Sequence, residues 1–197
     1  VRLAIGRHEF TYGDDGWSKP SDDDVLEIFR WMFRSYMERL LSSGIVPIVV
    51  IEGRSPTMKS DTIQNRSNDR SNKKEQAECA RKSPNVDDYK KYLRGAYHPC
   101  TIHVDAAIDV MRNLGITMLR ANHEGEGVCA KLVNDPNDPY HCVCAIIDDY
   151  DIFMYGCRTV VRNLRYASDR VGGFEGTAYA HIDIPISLGL IHMVDGK

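Results

Sequence analysis

The sequence has little net charge, no cysteine framework, no long apolar run and no internal repeat. It carries 25 Lys/Arg and 28 Asp/Glu in 197 residues, a formal net charge of −3. Bulk charge therefore names no partner. The six cysteines (79, 100, 129, 142, 144 and 157) show no paired spacing. Cys142 and Cys144 are two apart, which in a strand puts them on one face rather than around a metal. That argues against a disulfide-stapled domain and reads as buried, reduced thiols in an intracellular protein. No apolar stretch nears the ~20 residues of a bilayer-spanning helix and no signal peptide opens the chain, so no membrane role is expected. The first residue is Val1, inside what reads as an element ("VRLAIG"), so the natural start is expected to be missing.

What is present is a length sufficient for one domain, or one core with an insertion, and an uneven charge. Residues 54–94 hold eleven Lys/Arg against six Asp/Glu, a net of +5, so the rest of the chain carries −8. A basic segment beside an acidic body suits phosphate-binding cations next to metal-binding carboxylates; its ordinary alternative is a solvated charged helix.

Periodicity supplies the elements. Residues 21–44 read as a helix, with Ser21 as N-cap, acids at 22–24 and Gly44 as stop. Its apolar stripe runs through Val25, Ile28, Phe29, Met32, Phe33, Tyr36, Met37, Leu40 and Leu41. A buried strand follows at 46–51. Residues 60 to about 83 are polar with almost no apolar face, as in a helix that is exposed or ordered by a partner. Helical patterns return at 99–115 and 124–133, and strands at 116–119, 142–147 and 158–164. The glycine-rich 170–180 reads as a loop or hairpin. Strands alternating with helices predict an α/β fold with a mainly parallel sheet flanked by helices.

Three strands end in acids. Glu52 closes "IVVIEG", Glu124 and Glu126 follow 116–119, and Asp148, Asp149 and Asp151 follow 142–147. Any one of these has an ordinary reading as a cap or turn residue. Three strand ends delivering carboxylates to one sheet edge point instead to a hard divalent cation, because crowded acids raise one another's pKa until a cation neutralises them. His123, a lone loop histidine, is not counted as a ligand. Tyr150, between two acids, is expected to point away into packing.

"VPIVVIEGRSPTMKSDTIQNR", "HEGEGVCAKL" and "IIDDYDIFMYG", in that order across roughly 44–164, resemble the signature segments of the flap endonuclease/XPG family. The resemblance implies a PIN-like α/β nuclease domain spanning 1–197, with a basic helical arch inserted at about 54–95. It implies two Mg²⁺ ions, for which Mn²⁺ can substitute, held by Glu52, Glu124, Glu126, Asp149 and Asp151. Lys59 and Arg66 fall on the family's catalytic cations at the scissile phosphate, while Arg54, Arg70, Lys73 and Lys74 would contact the nucleic-acid backbone. The implied partner is DNA with a 5′ flap or another branch, with a sliding clamp engaged through residues beyond Lys197. The implied location is nuclear in a eukaryote, or a viral factory or the cytoplasm for a viral protein.

The chain departs from that pattern in three ways. Glu52 stands where the family has Asp, glycines flank Glu126 where it has alanines, and neither the family's first and last aspartates nor its helix–two-turn–helix is expected within these residues. Each glycine in a helix interior costs about 1 kcal/mol relative to alanine, which suggests a loose ligand helix. The implied activity is a structure-specific, metal-dependent nuclease of DNA replication or repair. An RNA endonuclease on the same scaffold, or a degenerate PIN-like domain that binds without cutting, are the alternatives.

Overall fold

The computed structural model describes residues 2–53, 60–167 and 173–180. The chain divides into two compact units, Val1–Leu41 with Pro56–Thr117, and Ser42–Ser55 with Met118–Lys197.

The first unit is helical: α1 (Arg2–Arg7), a small hairpin β1 (Tyr12–Gly13) and β2 (Gly16–Trp17), α2 (Asp22–Ser42), α3 (Ser60–Arg81), α4 (Val86–Ala96) and α5 (Thr101–Asn113). A reciprocal cap starts α2: Ser21 Oγ accepts the Asp24 N–H at 3.0 Å, and the Ser21 N–H donates to the Asp24 carboxylate at 3.2 Å. The predicted stripe of α2 puts Val25, Met37 and Leu40 inside. Val25 joins Ala4 and Ile5 in a core edged by Phe10, Phe29 and Leu93.

Helix α3 has the weak apolar face that its sequence predicts, and Ala77 is buried on it. It packs against α4, whose Tyr89 is almost wholly enclosed. Side-chain pairs one turn apart, Gln64–Asn68 and Lys73–Asp69, line its surface. The hairpin completes its C-terminal end. Tyr12 Oη donates to the Lys82 carbonyl at 3.0 Å and Trp17 Nε1 to the Ser83 carbonyl at 2.8 Å. Gly16 makes this approach possible: at φ +94°, a Cβ there would sit 2.3 Å from the Arg81 carbonyl oxygen.

The second unit carries the remaining strands. β3 (Ile48–Ile51) pairs with β4 (Thr117–Arg120), and α6 (Gly125–Asn134) follows. β5 (Ala145–Ile146) leads through a 3₁₀ helix (Asp151–Tyr155) to β6 (Thr159–Ala167) and β7 (Gly173–Ala180). β5 and β6 are parallel, in register at Ala145↔Val160. β6 and β7 form an antiparallel hairpin, so β5–β6–β7 is a mixed sheet; among the described residues it is separate from the β3–β4 pair, which corrects the expectation of one mainly parallel sheet whose single edge carries all the acids. Its core is Ala130, Ala145, Ile152, Cys157 and Val160, with Cys129, Val133, Ile147 and Phe153 against it.

All six cysteines are free. Cys79 and Cys100 are exposed, which corrects the reading of the whole set as buried. Cys79 lies on the polar α3, and Cys100 is the N-cap of α5. No helix among the described residues is long and apolar enough to cross a membrane.

Candidate metal centre

The carboxylates of the second unit are organised by α6, which packs against β3, β5 and the 3₁₀ helix. Those elements are the ones that deliver Glu52, the 148–151 acids and Asp151 itself.

Gly53 governs the first of them. Its N–H donates to the His123 carbonyl at 2.7 Å, and Ile51 accepts from the Ala121 N–H at 2.9 Å. A Cβ on Gly53 would lie 2.3 Å from the Ala121 carbonyl oxygen and 2.4 Å from that of Asn122. Only glycine lets the two backbones touch there, so the "EG" pair sets Glu52 against the start of α6. A Cβ on Gly125 would lie 3.6 Å from Glu52 Cγ.

Glu124 is the N-cap of α6 and Glu126 lies in its first turn, where the helix dipole favours an anion. Glu124 Oε2 accepts the Tyr155 hydroxyl at 2.9 Å. That hydroxyl reaches it because residue 127 is glycine: a Cβ there would press on Tyr155 Cε1 at 3.3 Å and Cδ1 at 3.4 Å. One of the two glycines beside Glu126 therefore makes room for a ring that fixes Glu124. Glu126 Oε2 is buried with no hydrogen-bond partner.

Along "DDYD" the residues alternate in role. The Asp148 side chain accepts the Asn163 N–H at 2.7 Å, and the Asp148 carbonyl takes two N–H bonds from Arg162, one of them at 3.2 Å. Tyr150 lies under the Arg162 guanidinium, whose Cζ is 3.5 Å from the ring centroid. The expectation that Tyr150 points into packing is thereby corrected. The ring is 64% exposed and is held by stacking on a cation. Asp149 and Asp151 are exposed, and Asp149 Oδ1 accepts the Asp151 N–H at 3.2 Å, which closes the turn.

Sulfur does not compete for an ion here. Burial, reinforced by Cys157 and Glu126, pushes the Cys129 thiol up to about 11, and burial raises Cys144 and Cys157 as well. The available donors are carboxylate oxygens. Among the described residues, no three His, Cys, Asp or Glu side chains converge closely enough to cage an ion. This donor set fits Mg²⁺ nonetheless, since that ion keeps several waters and takes one or two carboxylates directly. The orphaned Glu126 oxygen, otherwise a costly buried charge, is the observation that calls for a cation.

The basic residues belong to the other unit. Arg66, Arg70 and Lys74 recur every four residues along α3, Arg66 and Lys74 exposed and Arg70 half-buried. Lys73 is tied to Asp69 at 2.5 Å. Arg54 and Lys59 lie outside the described residues. Gly53, Tyr155 and Arg162 carry no site signal in the sequence alone. In sequence Arg162 stands out only as a charge directly after the apolar pair Val160–Val161 of β6.

Residues 115–186 match the XPG I-region. Flap endonuclease 1 of Methanococcus aeolicus is 30% identical over 125 residues, covering 64% of this chain and 37% of that protein. Flap endonuclease 1 of Saccharolobus solfataricus is 28% identical over 131 residues, 66% of this chain and 36% of the relative. The chain thus spans little more than a third of the length of these relatives. In structure it is similar to the catalytic core of Rad2 in complex with a DNA substrate, with a TM-score of 0.56 at 20% identity over 87% of this chain and 44% of that one. That likeness supports the PIN-like α/β fold.

Proposed function

From the premise that the chain belongs to the flap endonuclease/XPG family, we propose that the protein is a metal-dependent, structure-specific nuclease that hydrolyses phosphodiester bonds in flapped or branched DNA. The observation that carries this is the N-terminal end of α6. Glu124 and Glu126 lie there with Glu52 alongside, and one Glu126 oxygen is buried without a partner.

In this reading Glu52, Glu124, Glu126, Asp149 and Asp151 hold two Mg²⁺ ions, some directly and some through water. Bound Mg²⁺ supplies an activated water nucleophile and charge neutralisation at the leaving oxygen. The protein orients those ligands: Gly53 lets Glu52 approach, Tyr155 holds Glu124, and the 148–151 turn presents Asp149 and Asp151. The five acids belong to one compact unit, so a single rigid element, α6, sets their relation. Lys59 and Arg66 are assigned to the scissile phosphate, where fixed cations stabilise charge that builds in the transition state. Arg54, Arg70, Lys73 and Lys74 are assigned to the strand backbone, with contacts that weaken as salt rises. Residues 54–95 form the arch in this proposal, and a sliding clamp is its second partner.

The test is substrate discrimination in Mg²⁺. A 5′-flap DNA, a linear duplex, a single strand and an RNA flap of the same sequence are compared in single turnover. The proposal expects incision near the base of the DNA flap at a rate well above the other three. Preference for the RNA flap would reassign the substrate, and binding without incision of any of them would make this a degenerate domain.

A further inference from the structure

Arg162 is an anomaly in its strand. It is a cation with only 7% of its surface exposed, in a segment whose neighbours Val160 and Cys157 form the core of the unit. No described carboxylate pairs with it in a salt bridge. Its guanidinium is spent instead on a loop fourteen residues upstream. Two N–H groups converge on the Asp148 carbonyl, and the planar face covers the Tyr150 ring.

The backbone of β6 is shaped to make this contact. Its pairing with β7 shifts register between Arg162 and Arg165, a bulge. Asn163 takes the left-handed conformation at φ 54°. That conformation is uncommon outside glycine, though asparagine tolerates it better than most residues, and here it directs the Asn163 N–H onto Asp148 Oδ1 at 2.7 Å. One carboxylate oxygen of Asp148 and its carbonyl are therefore held by consecutive residues of one strand, Asn163 and Arg162. All four residues of the turn are exposed, but Asp148 and Tyr150 are gripped by β6, whereas the Asp149 carboxylate bonds only within the turn, to the Asp151 N–H.

Resting on the nuclease reading above, we propose that Arg162 is the positioning residue of this acid turn. By clasping Asp148 and stacking on Tyr150, it selects Asp149 and Asp151, and not Asp148, as the carboxylates offered to a divalent cation. A lysine cannot replace it, because one ammonium provides neither the planar fork nor the stacking face.

The test is Mn²⁺ binding to the whole protein without nucleic acid, followed by electron paramagnetic resonance, with 5′-flap incision measured in parallel. Removing a partner that orients a metal ligand weakens metal affinity by roughly 10- to 100-fold. Arg162→Ala is expected in that range, and Arg162→Lys shows little rescue. Because Arg162 is buried, Tyr150→Ala provides a second variant on an exposed side chain, with a loss in the same direction but smaller than that of Arg162→Ala. Asp148→Asn keeps an acceptor for the Asn163 N–H and retains wild-type affinity, whereas Asp149→Asn loses it. Ile152→Val is the control: it weakens the core beneath the turn without touching the clamp and leaves Mn²⁺ affinity unchanged. Wild-type affinity in Arg162→Ala and Tyr150→Ala, in a protein that binds Mn²⁺ and cuts, overturns the positioning role and leaves the nuclease reading intact. An equal loss in Ile152→Val also overturns it, by reducing Arg162 to a stability residue. A wild-type protein that binds no Mn²⁺ refutes both.

Discussion

Replacing Gly127 with alanine tests whether the glycines around Glu126 loosen the ligand helix or serve it. In an unconstrained helix interior the change is worth about 1 kcal/mol in favour of alanine. Here the new methyl would meet the Tyr155 ring at 3.3–3.4 Å, a few tenths of an ångström too close. The ring cannot yield freely, because its hydroxyl is bonded to Glu124 at 2.9 Å. Moving it sacrifices a solvent-accessible hydrogen bond worth about 0.5–1.5 kcal/mol. The two effects are of similar size, so Gly127→Ala is expected to be close to neutral, within about 0.5 kcal/mol. In a Tyr155→Ala background the clash is gone, and the same substitution should stabilise by about 1 kcal/mol. A double-mutant cycle by urea denaturation measures the coupling, expected at about 0.5–1.5 kcal/mol. Gly125→Ala is the internal comparison. Its Cβ would make ordinary 3.6 Å contacts with Val50 and Glu52, so it should show no such coupling to Tyr155. Full stabilisation by Gly127→Ala in both backgrounds would refute the idea that this glycine exists to admit the tyrosine.

Two further outcomes follow from the packing. Ile152 is fully enclosed among Ala130, Ala145, Cys157 and Val160, so Ile152→Ala should lower stability by about 2–5 kcal/mol in urea titrations; a loss under 1 kcal/mol would mean that this core collapses around the cavity. Burial holds the His103 imidazole below its ordinary pKa, outweighing the nearby Asp22 carboxylate. The unfolded chain therefore takes up a proton before the folded one does. The neutral form's contribution is whole above about pH 6.5 and is lost as pH falls through the folded value. Melting temperatures at pH 7.5 and 5.5 should fall further for wild type than for His103→Leu, and equal slopes would contradict the assignment.

The helices were the most legible part of this fold. Ser21, the acids behind it and Gly44 bracket a 3.6-residue stripe, and the observed helix is Asp22–Ser42. β3 was plain from its β-branched run, but it starts at Ile48 with Val46 exposed, and its residues are half-buried where a buried strand was expected. β5 was not: an apolar run at 142–147 yields only the pair Ala145–Ile146, because the length of a strand is set by the partner that meets it. The acids of the candidate site could be named from strand ends alone, but their supports could not. Tyr155 reaches Glu124 across 31 residues of sequence, Arg162 reaches Asp148 across 14, and Gly53 matters through carbonyls near residue 121. Such contacts leave no local periodicity. What sequence can show is the exception, a glycine after a strand-end acid or an arginine directly after a pair of valines, and the fold then supplies the reason.

The most direct measurement of the central claim is the single-turnover rate of 5′-flap incision in Mg²⁺ by the wild-type protein and by Asp149→Asn, each repeated in excess chelator. The wild type is expected to incise the flap in a reaction that chelator abolishes, and Asp149→Asn to show no incision beyond background. Wild-type rates in the variant, or cleavage that persists in chelator, would contradict it.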